Sequence, residues 1–154
     1  MTLPQQKRRE ILFQILFSYD FTGVEDDELS EFIMKQFLVS RRAVREMLDE
    51  LKQIALHLTD VDAKITKYSI SYELHRIPKV ELNLLRLAIY EMLYVPSLPP
   101  KVSIAEAIRL TRKYSTIESA SFINAVLDAI FQSELKETSA VGPQNELPIP
   151  VLTG

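Results

Sequence analysis

Apolar residues recur along most of this chain at the three- and four-residue spacing that places them on one face of an α-helix. No segment alternates apolar and polar residues over the length of a strand, and only three glycines are present to form hairpins. The eight prolines bracket the periodic segments and do not interrupt them, as is typical of helix boundaries. The pattern therefore predicts an all-α protein.

About seven helices account for the periodicity. We expect helices over residues 5–21, 29–38, 40–58, 78–95 and 101–114, one that Thr59 or Asp60 caps, and a last one that Thr116 caps. Ser40 is the expected N-cap of the third helix because its hydroxyl can accept a bond from a free backbone N–H. The periodicity ends near residue 133, so we expect a domain over residues 1–133 and a disordered tail over residues 134–154.

The segment over residues 78–95 is apolar around most of its circumference. An arc of roughly 180° on a helical wheel, typical of the central helix of a bundle, is covered by Leu82, Leu84, Leu85, Ala88, Ile89, Met92 and Leu93. A narrow polar strip interrupts it, because Lys79, Asn83, Arg86 and Tyr90 fall within about 60° of each other. Two interpretations of Arg86 are open: it contacts an anionic partner, or it makes a structural ion pair or reaches water along its own stem.

Composition excludes several classes of chemistry. A chain of 154 residues is long enough for one domain with a sizeable core. The absence of cysteine excludes a disulfide framework, a thiolate metal site and a cysteine nucleophile. The two histidines lie far apart, and no glycine-rich phosphate loop or nucleophile motif occurs, so nothing indicates an enzyme, a cofactor or a metal site. The N-terminus resembles neither a signal peptide nor a membrane span, which predicts a cytosolic, soluble protein.

Charge is segregated along the chain although its net value is only −3. Residues 76–114 carry seven bases and three acids, and Lys7, Arg8 and Arg9 crowd the start of the first helix, where the helix dipole disfavours positive charge. This basic start either serves a partner or is a solvated, frayed terminus. Together with Arg86, Tyr90, Tyr114, Phe122 and Asn124, it forms a candidate surface for single-stranded RNA, since phosphates bind basic side chains and unstacked bases bind aromatic faces.

Four motifs resemble the NusB family of bacterial transcription antitermination factors. LRLAIYE over residues 85–91 is similar to the family signature LRLAIYEL, and PKVSIAEA over residues 100–107 is similar to PxKVAINEAI. KRRE over residues 7–10 and FINAVLD over residues 122–128 agree with the family in order and spacing. The resemblance covers roughly residues 5–131.

The resemblance implies an all-helical bundle in two halves that has no catalytic activity. It implies binding of the boxA element of nascent ribosomal-operon RNA jointly with the ribosomal protein NusE, and only indirect contact with other antitermination factors and RNA polymerase. Some members form homodimers. Matched by position, and with Asn124 added from composition, the expected RNA-binding residues are Lys7, Arg8, Arg9, Arg86, Tyr114, Glu118, Ser119, Phe122 and Asn124. The expected protein-partner residues are Phe17, Glu81, Tyr90 and Glu91.

Three departures from the family and two alternatives bear on function. Ser115 and Ala125 stand where the family has glycines, and Ser71 stands where many members have tryptophan. Either glycine replacement can alter the backbone of the RNA-facing turn. One alternative is a helical module that binds only proteins and whose basic side chains lie on solvated helix faces. The other is the NusB-like N-terminal domain of a ribosomal RNA cytosine methyltransferase.

Overall fold

The structure of the chain, a computed structural model, describes residues 3–22, 27–70 and 73–136, and every regular element in these ranges is helical. This confirms the all-α prediction. The helices are α1 (Gln5–Thr22), α2 (Asp27–Phe37), α3 (Arg41–Leu56), α4 (Leu58–Tyr68), α5 (Lys79–Tyr94), α6 (Pro100–Tyr114) and α7 (Ile117–Ile130). A short 3₁₀ turn over Leu74–Arg76 precedes α5, and a π-helical turn over Phe131–Leu135 continues α7. None of the helices in these ranges is long and apolar enough to cross a membrane.

Local chemistry sets most of the helix boundaries. The Ser40 hydroxyl accepts from the Ala43 N–H at 3.0 Å, and the Thr116 hydroxyl accepts from the Ser119 N–H at 3.0 Å, so both predicted N-caps are confirmed. The predicted cap of α4 at Thr59 or Asp60 is wrong. That helix begins at Leu58, because the His57 carbonyl that follows the end of α3 already accepts from the Val61 N–H at 2.9 Å.

Helix α5 is the centre of the bundle, as the sequence predicts. It packs against α1, α4, α6 and α7, and every residue from 81 to 92 is buried. The apolar arc expected from the wheel is therefore too narrow, since even the polar positions of α5 are enclosed by neighbouring helices. Helices α1 and α6 both run antiparallel to α5: Asp20 lies near Lys79 and Arg9 near Glu91, while Ser103 contacts Glu91.

The bundle has the two halves that the resemblance implies. Helices α1, α2 and α3 pack on one another, α4 to α7 form the second group, and the packing of α1 on α5 joins the two. At the end of the second group, Glu134 accepts from the Tyr68 hydroxyl at 2.7 Å and lies 2.6 Å from the Lys64 ammonium of α4. Helical structure thus continues slightly past the predicted boundary at residue 133. Residues 137–154, the rest of the predicted tail, lie outside the described residues.

Candidate nucleic-acid interface

Arg9 and Glu91, predicted as an RNA contact and a partner contact, are bonded to each other. The Arg9 Nε lies 3.0 Å from both carboxylate oxygens of Glu91, and each residue is only 3% exposed. The Ser103 hydroxyl donates to the same carboxylate at 2.9 Å, and the Glu106 carboxylate lies 3.6 Å from Arg9 Nη1. These charges therefore join α1, α5 and α6 inside the bundle and do not lie on its surface.

Arg86 is a second enclosed charge. Its Nε and Nη2 each donate to Asp62 of α4 at 2.9 Å, and its Nη1 lies 3.2 Å from both Asp20 of α1 and the Asn83 side-chain oxygen. Burial lowers the pKa of Arg86, but Asp62 and Asp20 outweigh that effect and leave it above its ordinary value. All three guanidinium nitrogens of Arg86 are bonded, and only 8% of the residue is exposed. Of the two interpretations of Arg86, this geometry favours the structural ion pair.

Asn83 and Tyr90 of the polar strip are also buried, whereas Lys79 is exposed. Asp20 accepts from the Asn83 amide at 3.1 Å and lies 3.0 Å from the Lys79 ammonium. Burial raises the pKa of Asp20, but these two partners and Arg86 together bring it below its ordinary value. Tyr90 is buried, with its ring centroid 6.0 Å from that of His57. The polar strip thus links α1, α4 and α5 through hydrogen bonds and ion pairs.

Tyr114 lies between α1 and α6 and is partly buried. Its hydroxyl donates to Glu10 and accepts from the Gln14 amide at 2.9 Å. Burial, followed by the bond to Glu10, raises the pKa of Tyr114 to about 12, so the phenol is a hydrogen-bond donor at neutral pH. Its ring lies 5.1 Å from that of Phe13, which in turn lies 6.0 Å from that of the half-buried Phe17. A row of three aromatic rings therefore follows one side of α1.

A groove where the N-terminal ends of α5 and α7 meet brings together four of the predicted residues. It has a volume of about 300 Å³ and is lined by Arg76, Pro78, Glu81, Glu118, Ser119 and Phe122, among others. The Ser115 hydroxyl bonds to the Glu81 carboxylate and lies 3.1 Å from the Ser119 hydroxyl. Arg76 and Glu118 are exposed, and Phe122 is half-buried. The groove thus offers a cation, an aromatic ring, the Glu118 carboxylate and the Ser119 hydroxyl to one ligand.

The sequence does not predict one residue that lines this groove, Arg76, or one that lies beside it, Ser115. In the sequence Arg76 is only one of the bases of residues 76–114, and nothing local indicates that the 3₁₀ turn places it at the start of α7. Ser115, which bonds to Glu81, stands out in the sequence only as a departure from the family. Asn124 is exposed on α7, but it follows Phe122 by two residues and so faces about 160° away from it around the helix. It does not line the groove.

The basic start of α1 lies toward the opposite end of the bundle. Arg8 forms an ion pair with Glu50 of α3, and 28% of its side chain is exposed; Lys7 is half-buried. Arg8 also lines a second cleft, of about 550 Å³, between α1 and α3. Because Arg9 pairs with Glu91 and the groove contains Glu81, the two regions lie about 15 Å apart along the axis of α5. Tyr114 lies between them.

Comparison with known proteins identifies a family that this chain matches. Residues 6–132 match the model of the NusB family. The transcription antitermination protein NusB of Chlamydia pneumoniae is 37% identical over 137 residues, which cover 88% of this chain and 86% of that protein. The solved structure of NusB from T. maritima matches with a TM-score of 0.73 at 30% identity, over 91% of this chain and 99% of that one.

A crystal structure of the antitermination factors NusB and NusE in complex with dsRNA also has this fold. It matches with a TM-score of 0.70, over 84% of this chain and 96% of that one. At 24% identity this match is evidence for the fold alone.

Proposed function

The chain belongs to the NusB family of transcription antitermination proteins, and we propose that it binds the boxA element of nascent ribosomal-operon RNA together with the ribosomal protein NusE. It acts in the cytoplasm by holding two partners and catalyses no reaction, and other antitermination factors and RNA polymerase contact it indirectly. Membership in the family supports this proposal, and a structure with the same fold is that of the antitermination factors NusB and NusE in complex with dsRNA.

The groove at α5 and α7 is the observation that carries the RNA part of this proposal. A single-stranded RNA needs a cation for its phosphate, an aromatic face for an unstacked base, and polar groups for the base edge. Arg76, Phe122 and the pair Glu118 and Ser119 supply these three functions within one concave surface. Lys7 and Arg8, about 15 Å farther along the bundle, extend the contact to neighbouring phosphates.

We assign Arg9, Arg86, Tyr90 and Glu91 a supporting role, because their side chains are buried and, for the three charged residues, bonded within the chain. They hold α1, α4, α5 and α6 in register and so position the groove and the basic start of α1.

Glu81 and Phe17 are the proposed contacts for NusE. Glu81 lies on the wall of the RNA groove but is only 5% exposed and bonds to Ser115, so a protein that binds at this wall would contact mainly the residues around Glu81 and would also border the RNA. Contact between the two partners would make their binding cooperative: each would bind more tightly in the presence of the other, by a coupling of about 1–3 kcal/mol in typical systems.

The proposal is tested by titrating a boxA RNA and a scrambled control, with and without NusE, in fluorescence anisotropy. Phe122→Ala removes a stacking face, which costs about 1–3 kcal/mol per base, or roughly 5- to 150-fold in Kd. The matched control is Phe32→Ala, which truncates an exposed phenylalanine on α2. Equal Kd values for the Phe122 and Phe32 variants would contradict the placement of RNA in the groove.

A second candidate function is docking of proteins alone. The internal pairing of Arg8, Arg9 and Arg86 favours it, because three of the bases that suggested RNA binding already have carboxylate partners. Stable binding of NusE with no difference between boxA and scrambled RNA would establish this alternative in place of the first.

A further inference from the structure

The cleft between α1 and α3 lies outside the groove and is lined by two arginines and two glutamates. Its volume is about 550 Å³, and its wall includes Leu3, Arg8, Ser40, Arg42, Glu46 and Glu50. The two helices run in the same direction here, since Leu3 and Ser40 meet at one end and Arg8 and Glu50 form an ion pair farther along. The cleft is therefore open beside the start of both helices, where each backbone dipole is positive.

Each arginine of the cleft is held by a carboxylate of α3. Arg8 pairs with Glu50, and Arg42 pairs with Glu46 at 3.5 Å across one helical turn. Water reaches the two pairs to different extents: 28% of the Arg8 side chain and 23% of the Glu50 side chain are exposed, and the Arg42 pair is largely exposed. Pairs of this kind contribute little stability, so another anion can displace the carboxylates at small cost.

Both arginines border the same space, because both line one cleft. Arg42 lies in the first turn of α3, where the dipole disfavours a cation and which contains no acidic residue. An anion in the cleft would relieve that unfavourable placement. Arginine can bind two oxygens of one phosphate with two parallel N–H donors, and this geometry suits the phosphates of an RNA backbone.

We propose that this cleft is a phosphate subsite for RNA, with Arg8 and Arg42 as its ligands and with Glu50 and Glu46 as internal counterions that RNA phosphates displace. The proposal rests on the proposed function, since it concerns the same RNA strand beyond the groove. It adds Arg42 as a contact, and it makes the two glutamates inhibitors of RNA binding. A specific consequence is that removal of an acid should strengthen binding.

The test measures the Kd of a boxA RNA with single-stranded flanks, over a series of salt concentrations, for the full-length chain and its variants. Glu50→Gln frees Arg8 and removes a carboxylate that repels the phosphate, so we expect roughly twofold to fivefold tighter binding. Arg42→Gln should weaken binding and make the slope of log K against log salt shallower by about 0.7, the value for one phosphate of a single strand.

Matched controls carry the same chemical changes elsewhere. Glu31→Gln removes an exposed carboxylate of α2, and Lys67→Gln removes a mostly exposed cation of α4. Thermal unfolding checks that each variant is folded. If Glu31→Gln tightens binding as much as Glu50→Gln does, the effect is one of net charge and the proposal is overturned.

The outcomes separate this proposal from the function on which it rests. If the unmodified chain binds boxA and scrambled RNA equally or not at all, the proposed function fails and the phosphate subsite with it. If it binds boxA selectively and Phe122→Ala weakens binding, but Glu50→Gln does not tighten it or Arg42→Gln leaves the salt slope unchanged, only the phosphate subsite is overturned.

Discussion

The buried pair of Arg9 and Glu91 gives a sharp prediction, because the adjacent Arg8 provides a control of the same residue type. We expect Arg9→Met to lower the free energy of unfolding by about 3–5 kcal/mol, since it leaves the Glu91 carboxylate buried without its main counter-charge. Only 4% of either side chain is exposed, so water cannot replace the lost partner. For a chain of this length the melting temperature should fall by roughly 6–20 °C.

Arg8→Met should cost less, about 1 kcal/mol, because its pair with Glu50 is partly exposed and water can partly replace the lost partner. Urea unfolding followed by far-ultraviolet circular dichroism measures both variants under the same conditions. We expect Arg8→Met to weaken RNA binding while the fold persists, and Arg9→Met to act through stability.

A double variant extends the test. Arg9→Met with Glu91→Met replaces the pair by apolar groups and should recover most of the stability that the single substitution loses, which a double-mutant cycle quantifies. The reasoning is refuted if Arg9→Met unfolds at the urea concentration of the unmodified chain and yet loses RNA affinity. That result would make Arg9 a surface contact.

Three further predictions concern other hydrogen bonds and ion pairs between helices. Folding lowers the pKa of Asp20 below its unfolded value of about 3.9, so this residue stabilises the fold above that pH, and the stabilisation is lost as pH falls through the folded pKa. On acidification, the urea midpoint should therefore fall less steeply for Asp20→Asn than for the unmodified chain. The raised pKa of Tyr114 predicts that stability falls as pH rises from about 10 to about 12 and that this tyrosine ionises late in ultraviolet absorbance. The pKa of Tyr90 is raised too, so Tyr114→Phe should weaken both effects without abolishing them. Ser115→Ala leaves the Glu81 carboxylate without a donor and should cost about 1–3 kcal/mol in the same urea assay, whereas Ser121→Ala, at an exposed serine of α7, should be neutral.

Much of the fold could be read from local chemistry. The helices follow from the spacing of apolar residues, and the caps at Ser40 and Thr116 follow from hydroxyl groups just before such segments. The start of α4 was misplaced for the same local reason: Thr59 and Asp60 are good capping residues, but the chain turns at His57 so that Val61 and Ile65 can enter the core.

The candidate site was predicted in part. A helical wheel gives the direction of a side chain around its own helix, but it does not say which neighbour lies there. The wheel therefore grouped Arg86 with a polar strip and left two roles open. The structure provides the partners, Asp20 and Asp62, from two other helices.

The sequence by itself determined the helices, most of their limits, the central position of α5 and the family, because each depends on neighbouring residues or on motifs in order. Only the tertiary structure decided which charges face a partner and which hold the bundle together. Arg9 and Glu91 are 82 positions apart, and Arg76 and Phe122 line one groove only because the 3₁₀ turn, α5 and α7 meet there. Charge pairs of this kind arise from the packing of whole helices, so no short stretch of residues contains the information that sets them.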